Sequence, residues 1–351
     1  MVISPRSRVH HDLDPKLDVI QSLRERAWIR ECEGILGSKA YDILLRQGEL
    51  YSTFSTQSDI LSKIRHETLR IAVIQPLEAS LGIRPDGSII PPAPDDISDE
   101  DAELMWDDKN TFNPFADLRK KRFLWYYESY IQTIDAAEPG VSRKRNFDKM
   151  PFEGGGNSMD GHFDYPELRR RLVLVRVTII KETDNWAAEG LSAKEREIGI
   201  AVNLQRQYEQ IVEDLKSQKN FTVDLNLCDA NPFVWELTYF GRPMTHLDGG
   251  IFKIKIHLSP RFPEEQPRVF MQTPLFHNRV SKHGVLCYSS QRPEEMRYHI
   301  EAIVGALEEE TPPYDPRMTV NPEASKLFWG SPDDRKKYKR SLRRSVERSA
   351  E

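Results

Sequence analysis

The chain has 351 residues, of which 38% are hydrophobic and 30% charged, and its formal net charge is −5. This length suffices for one large or two ordinary domains with a substantial core. The nearly neutral charge does not indicate a nucleic-acid-binding protein. No apolar run approaches the roughly 20 residues that cross a bilayer, and Met1 to Asp14 contains no apolar signal region. Neither a membrane partner nor a secretory signal is therefore predicted.

Cysteine usage and local charge narrow the class of protein further. Cys32, Cys228 and Cys287 are odd in number and far apart, which argues against a disulfide framework and for a reducing compartment, the cytoplasm or the nucleus. Asp95 to Asp108 contains eight acidic residues and no basic one, whereas Arg335 to Arg348 is strongly basic. We expect a solvated loop and a solvated helix face; the alternative is that these segments bind each other or a charged partner.

Residues 1–196 are predicted to form a mainly helical N-terminal extension of unknown function. Helical spacing or an aromatic stripe predicts helices in three segments: Leu17 to Leu45, Glu67 to Leu81 with a break at Pro76, and Pro114 to Ile134. The aromatic stripe of the third segment is typical of a buried helix face. Leu172 to Ile180 is instead predicted to be a strand, because it is β-branched and nearly continuously apolar.

Residues 197–351 give sharper signals. Apolar residues from Leu204 to Leu215 recur at helical spacing, which predicts an amphipathic helix. Four strands are then predicted from alternating or short apolar runs: Phe221 to Leu227, Phe233 to Phe240, Phe252 to Leu258 and Arg268 to Met271. In the third run Lys253, Lys255 and His257 are expected on the exposed face. A long loop and further helices follow, so the fold class is α+β, with one antiparallel meander covered by helices.

This order of elements, with several short motifs, resembles the ubiquitin-conjugating enzyme family. The matching residues are Trp235, Gly241, Leu247 to Phe252, Phe262 to Val269, His277, Gly284, Cys287, Asp315-Pro316 and Asn321 to Ala324. Asn321 as N-cap with Pro322 at the first helical position also predicts a helix start without the resemblance. The resemblance covers about residues 197–348 and implies a UBC-like domain at 197–351, preceded by the extension.

The resemblance implies thioester transfer without a cofactor. Cys287 stands ten residues after His277, the spacing that the family keeps between its His and its catalytic Cys. An activating enzyme would transfer ubiquitin or a ubiquitin-like protein to Cys287, and a substrate lysine would then attack the thioester. The alternative is that Cys287 is a buried structural thiol. Cys32 and Cys228 are expected to be inert, because no motif surrounds either.

The loop beside Cys287 departs from the family's His-Pro-Asn motif. His277 matches the structural His, while Asn278 falls on the family's Pro and Arg279 falls on its Asn, which supports the oxyanion site. Asn278 reaches the site if the loop has slipped by one residue; otherwise Arg279 stabilises the developing charge. Asp315 lies where the family places an acidic residue that orients the incoming lysine, and its alternative role is that of a turn residue.

Two further departures concern partners. Glu264 replaces an apolar residue of the family's ligase-contact loop, and Gln291 to Arg297 lacks the Trp-Ser-Pro-Ala segment that commonly follows the catalytic Cys. We therefore expect an atypical ligase or a directly bound substrate protein. A catalytically weak or inactive scaffold is the main rival hypothesis. A metal site at His277, His283 and Cys287 lacks a fourth ligand, and a Cys–His protease lacks any nucleophile signature.

Overall fold

The computed structural model of the chain describes residues 61–89, 115–140, 144–147, 160–195, 199–218, 221–312 and 320–351. Several sequence predictions fall outside these residues: the helix from Leu17 to Leu45, Cys32, the acidic stretch from Asp95 to Asp108, and Asp315. The described residues belong to two compact units. Of the described residues, those up to residue 69 and those from 137 to 165 belong to one unit, and those from 70 to 136 and from 166 onwards belong to the other.

In the smaller unit, a buried histidine organises the packing of the described residues. His66 accepts a hydrogen bond at Nε2 from the backbone N–H of Asp164 (3.0 Å). Three aromatic rings meet it edge-on at centroid distances of 5.3 to 5.5 Å: Phe147, Phe163 and Tyr165. Its Nδ1 lies 2.9 Å from a Glu67 carboxylate oxygen. These contacts give the imidazole a structural role.

The larger unit contains the predicted antiparallel meander. Its strands are β1 (Val223–Leu227), β2 (Val234–Phe240), β3 (Ile251–His257) and β4 (Arg268–Met271). Each strand pairs with the next, so the spatial order is the chain order. The register sets Trp235 opposite Ile256 and Leu237 opposite Ile254, all fully buried on the inner face. Alternation along the strands therefore predicted both the pairing and the buried face correctly.

Helices precede and follow the sheet along the chain, in the part that the structure describes. The first, α1, covers residues 61–80, with a π-helical stretch at Thr68–Ile74 and a final turn at Gln75–Ser80. The others are α2 (Ala116–Ala137), α3 (Tyr165–Glu195), α4 (Gly199–Ser217), α5 (Met296–Glu308), α6 (Pro322–Phe328) and α7 (Pro332–Ser349). Asn321 caps α6, as predicted, by accepting a hydrogen bond from the Ala324 N–H (3.1 Å). Residues of α4, α5 and α7 join the inner-face core.

The strand predicted from Leu172 to Ile180 is wrong, because this segment lies inside α3. The buried side chains of α3 recur at intervals of three and four: Leu168, Leu172, Val175, Ile179, Thr183 and Trp186. Val173 and Val177 are exposed between them. The helical period therefore outweighs the β propensity of the individual residues.

The outer face of the sheet is partly covered by α3, because Arg268 of β4 donates to the Ile179 carbonyl (3.2 Å) and to the Thr183 hydroxyl (2.5 Å) of that helix. Residues just before β2 also contact α3. The Asn231 side chain donates to the backbone carbonyl of Ala187 (3.1 Å), and Gly190 allows the ring of Phe233 to approach the helix backbone. His257, predicted to be exposed, is only 7% exposed. Burial lowers its pKa to about 4, with the Lys255 charge acting in the same direction. Helices of the predicted extension thus pack within the same compact unit as the sheet, whereas the predicted domain boundary at residues 196 and 197 stays a prediction.

Candidate active site

A short hairpin in the loop between β4 and α5 positions Cys287. The chain turns at His277, whose carbonyl accepts from the Val280 N–H (3.2 Å), and Val280 pairs with Leu286. The Cys287 N–H then donates to the carbonyl of Arg279 (2.9 Å). At the tip, Gly284 has a φ of 77°, and a Cβ there would lie 2.6 Å from the Met271 carbonyl oxygen. The ten-residue spacing between His277 and Cys287 therefore corresponds to the length of this hairpin.

His277 is a neutral structural group in this hairpin. It is 1% exposed, and its Nδ1 accepts a hydrogen bond from the Arg279 N–H (3.2 Å). Burial lowers its pKa to about 3, with smaller contributions in the same direction from His246 and Arg279. Its ring stacks on that of His246 at a centroid distance of 6.0 Å. These contacts indicate that His277 orients the loop and does not act as a general acid or base.

Asn278 and Arg279 have different side-chain partners. The buried Asn278 amide oxygen lies 3.5 Å from the Tyr338 hydroxyl of α7, which donates to it. The Arg279 guanidinium forms an ion pair with Glu309, directly after α5. Both side chains are therefore engaged in the surrounding fold, and only the backbone of Arg279 contacts Cys287 among the hydrogen bonds described above. The fifth predicted site residue, Asp315, lies outside the described residues.

Helix α2 of the predicted extension lies beside the Cys287 hairpin. Trp125 donates from its indole Nε1 to the carbonyl of Leu286 (3.1 Å), and the carboxylate of Glu128 lies 3.2 Å from His283. Cys287 itself is 4% exposed. The sequence predicted α2 as a helix with a buried aromatic face, but nothing local indicated that this face lies against the hairpin.

Lys121, also on α2, is a charged neighbour of Cys287 that the sequence analysis missed. Its Nζ lies 4.5 Å from the centroid of the Tyr288 ring. Loss of hydration lowers the pKa of Lys121 from its ordinary 10.5 to about 8. Asp117 and Cys287 act electrostatically in the opposite direction, whereas Arg268 adds to the lowering. The thiol therefore lies within the electrostatic range of a buried amine.

The residue after Cys287 is fixed by a hydrogen-bonded histidine. The hydroxyl of Tyr288 lies 3.0 Å from Nδ1 of His299, whose Nε2 lies 2.9 Å from the carbonyl of Pro293. Since a carbonyl only accepts, Nε2 carries the proton and Nδ1 accepts from the hydroxyl. Burial lowers the pKa of His299 to about 4, so the imidazole is neutral at physiological pH. This chain of bonds anchors the Cys287 segment to α5.

Within the described ranges, no helix combines the length and apolar character of a membrane span. The same residues include no group of three or more His, Cys, Asp or Glu side chains arranged to hold a metal ion.

The sheet, its helices and the Cys287 hairpin define a UBC-like α+β domain. Residues 203–346 match the family model described as ubiquitin-conjugating enzyme. The chain is 27% identical over 122 residues to ubiquitin-conjugating enzyme E2 3 of Arabidopsis thaliana. The aligned segment covers 34% of this chain and 79% of that protein. It is 28% identical over 122 residues to ubiquitin-conjugating enzyme E2 2 of Aspergillus fumigatus, with the same two shares. For ubiquitin-conjugating enzyme E2 1 of Caenorhabditis elegans the identity is 25% over 122 residues, with shares of 34% and 62%.

Residues 203–346 thus match the ubiquitin-conjugating enzyme family, and the residues before them stand as an N-terminal extension to the matched region.

Proposed function

We propose that the chain is a ubiquitin-conjugating-type acyltransferase that carries ubiquitin or a ubiquitin-like protein as a thioester on Cys287. The observation that supports this most is the hairpin, in which Arg279 holds the backbone of Cys287 and a neutral His277 orients the turn. The Cys287 thiolate attacks the thioester carbonyl presented by an activating enzyme, whose own thiolate leaves. A substrate lysine amine then attacks the new thioester, the C–S bond breaks, and Cys287 leaves as thiolate while the nitrogen loses a proton.

The partners proposed are the modifier, its activating enzyme, and an atypical ligase or a directly bound substrate protein in the cytoplasm or nucleus. The surface after Cys287 supports an atypical ligase or a directly bound substrate protein. Arg292 and Glu294 are exposed and polar there, as is Glu264 in the loop before β4. The contact of α2 with the hairpin supports a role for residues 1–196 in partner or substrate specificity.

The charging of Cys287 is tested with activating enzyme, ATP and modifier on a non-reducing gel. We expect an adduct that a reducing agent removes, and we expect the reducible adduct to be absent in Cys287→Ser. Cys228→Ser is the matched control and should charge like the unaltered chain, because Cys228 lies in a 3₁₀ turn beside β1. Absence of any adduct with ubiquitin and the main ubiquitin-like proteins would remove the enzymatic proposal.

A second test concerns the residue at the family's Asn position. The Arg279 charge is held by Glu309, so it is poorly placed to follow a developing oxyanion. Arg279→Asn should leave charging intact and speed discharge onto free lysine by about tenfold, a modest part of what an oxyanion donor contributes. Glu309→Gln is the control that removes the ion pair but keeps the arginine. Unchanged discharge in Arg279→Asn would mean that this position takes no part in the transfer.

A scaffold without conjugating activity is the second candidate. The low exposure of Cys287, 4%, favours it, because a modifier as large as a protein has to reach the sulfur. The gel assay separates the two, since a scaffold forms no reducible adduct.

A further inference from the structure

Lys121 is an unusual residue for its position. It is 9% exposed, and among the described residues no carboxylate lies within ion-pair distance of its Nζ. A buried ammonium without an ion pair is costly, and most buried charges in proteins are paired. Its neighbour Lys120 is also buried, but it forms an ion pair with Glu182 at 2.5 Å, as most buried lysines do. The unpaired ammonium therefore calls for an explanation other than stability.

The immediate surroundings of Lys121 are aromatic. Its Nζ lies 4.5 Å from the centroid of the Tyr288 ring and 5.6 Å from that of Trp125. Ring faces attract a cation without neutralising it. The ammonium is thus held in a fixed place, beside the residue that follows Cys287 and the indole that binds the carbonyl before it.

The other ionisable groups facing Lys121 are accounted for. Asp117, one turn earlier on α2, accepts from the Gln266 N–H (2.9 Å) and pairs with Arg268 of β4 (3.2 Å). His299 of α5 is neutral at physiological pH, with the Lys121 charge helping to keep it so. Arg268 repels Lys121. Besides Asp117, the group that attracts the Lys121 ammonium is Cys287, once its thiol has lost its proton.

We propose that Lys121 is a positioning residue for thioester transfer, whose ammonium favours the thiolate form of Cys287. The proton leaves Cys287 for solvent, Lys121 keeps its own proton, and no electron transfer takes place. The inference rests on the proposed function, in which Cys287 is the nucleophile. It gives the extension a chemical part in the reaction, because α2 supplies the charge.

The test is alkylation of native protein by iodoacetamide, with Cys287 and Cys228 quantified separately by peptide mass spectrometry. Only a thiolate reacts, so at equal access of the reagent the rate follows the thiolate fraction. At pH 7 we expect Cys287 in Lys121→Met to react about tenfold more slowly than in the unaltered chain, the effect of one nearby opposite charge. Lys121→Arg, which keeps the charge, should retain most of the rate.

The pH profile tests whether the effect on Cys287 follows the charge of Lys121. The rate ratio between the unaltered chain and Lys121→Met should fall towards one as pH rises through about 8, where Lys121 itself loses its proton. Lys120→Met is the matched control and should leave the Cys287 rate unchanged, since Lys120 contacts Glu182. Cys228 reports any general loosening of the fold within each sample.

Equal Cys287 rates in the unaltered chain and Lys121→Met from pH 6.5 to 9.5 would overturn the inference. So would a ratio that stays constant with pH. The charging assay keeps this outcome distinct from failure of the proposed function. Charging of Cys287 with equal alkylation rates removes only the role of Lys121, whereas a Lys121 effect without charging removes only the conjugating activity.

Discussion

Replacing Arg268 by methionine should lower the free energy of unfolding by about 3–5 kcal/mol, the usual loss when one partner of a buried ion pair is removed. Arg268 is 2% exposed and pairs with Glu182 (3.0 Å) and Asp117 (3.2 Å). It also donates to the Thr183 hydroxyl (2.5 Å) and stacks over the Trp186 ring at 4.2 Å. Methionine fills much of the space but leaves two largely buried carboxylates with less positive charge nearby. Lys120 compensates for part of this at Glu182.

The measurement is urea unfolding followed by the fluorescence of the six tryptophans, of which Trp186 lies beside the substituted residue. Arg261→Met is the control, because Arg261 pairs with Glu265 at the surface and such pairs contribute about 1 kcal/mol or less. We also expect faster amide exchange in α2 and α3, which Arg268 joins to β4. A loss below about 1 kcal/mol for Arg268→Met would mean that the buried network does not hold these helices to the sheet.

The parts of the fold that the sequence predicted correctly are those decided by neighbouring residues. Period-two alternation in β2 and β3 reports directly which face is buried, and the side chain of Asn321 caps a helix only three residues away. The segment from Leu172 to Ile180 was mispredicted because a continuous apolar run satisfies both periods. The buried positions that decide for a helix, Leu168 and Trp186, lie outside it.

The candidate site shows the same division. The spacing of His277 and Cys287 is local and indicated the loop that joins them, although the sequence did not predict that this loop forms a hairpin. The partners of Asn278 and Arg279, Tyr338 and Glu309, lie 60 and 30 residues further along the chain, so no local pattern indicates them. The contact of Trp125 with Leu286 spans 161 residues. An aromatic stripe predicts a buried helix face, but it does not say which surface that face covers.

Lys121→Met should stabilise the chain at neutral pH by about 3 kcal/mol, because burial lowers the Lys121 pKa from 10.5 to about 8 and the substitution removes the cost of burying the charged form. The folded-state pKa of Lys121 is about 8 and its ordinary value is 10.5. Below pH 8 both states bind the proton and the folded chain bears the full desolvation cost. Between pH 8 and 10.5 the unfolded state binds more protons, so stability rises with pH. Methionine does not titrate, so the variant gains no such stability. The difference in stability between the two chains should therefore vanish by about pH 10.5.

Urea unfolding of the unaltered chain and of Lys121→Met at pH 7, 8, 9 and 10 measures this gap in the free energy of unfolding. The contributions of other titrating groups are the same in both chains and cancel in the difference. Lys120→Met is the control and should be less stable than the unaltered chain at neutral pH, because it leaves Glu182 with one cation fewer. A gap that is absent, or that does not change with pH, would contradict the expected cost of burying the Lys121 ammonium. If the gap closes as expected, the substitution that slows Cys287 also stabilises the fold. That combination is typical of a group that serves chemistry at the expense of stability.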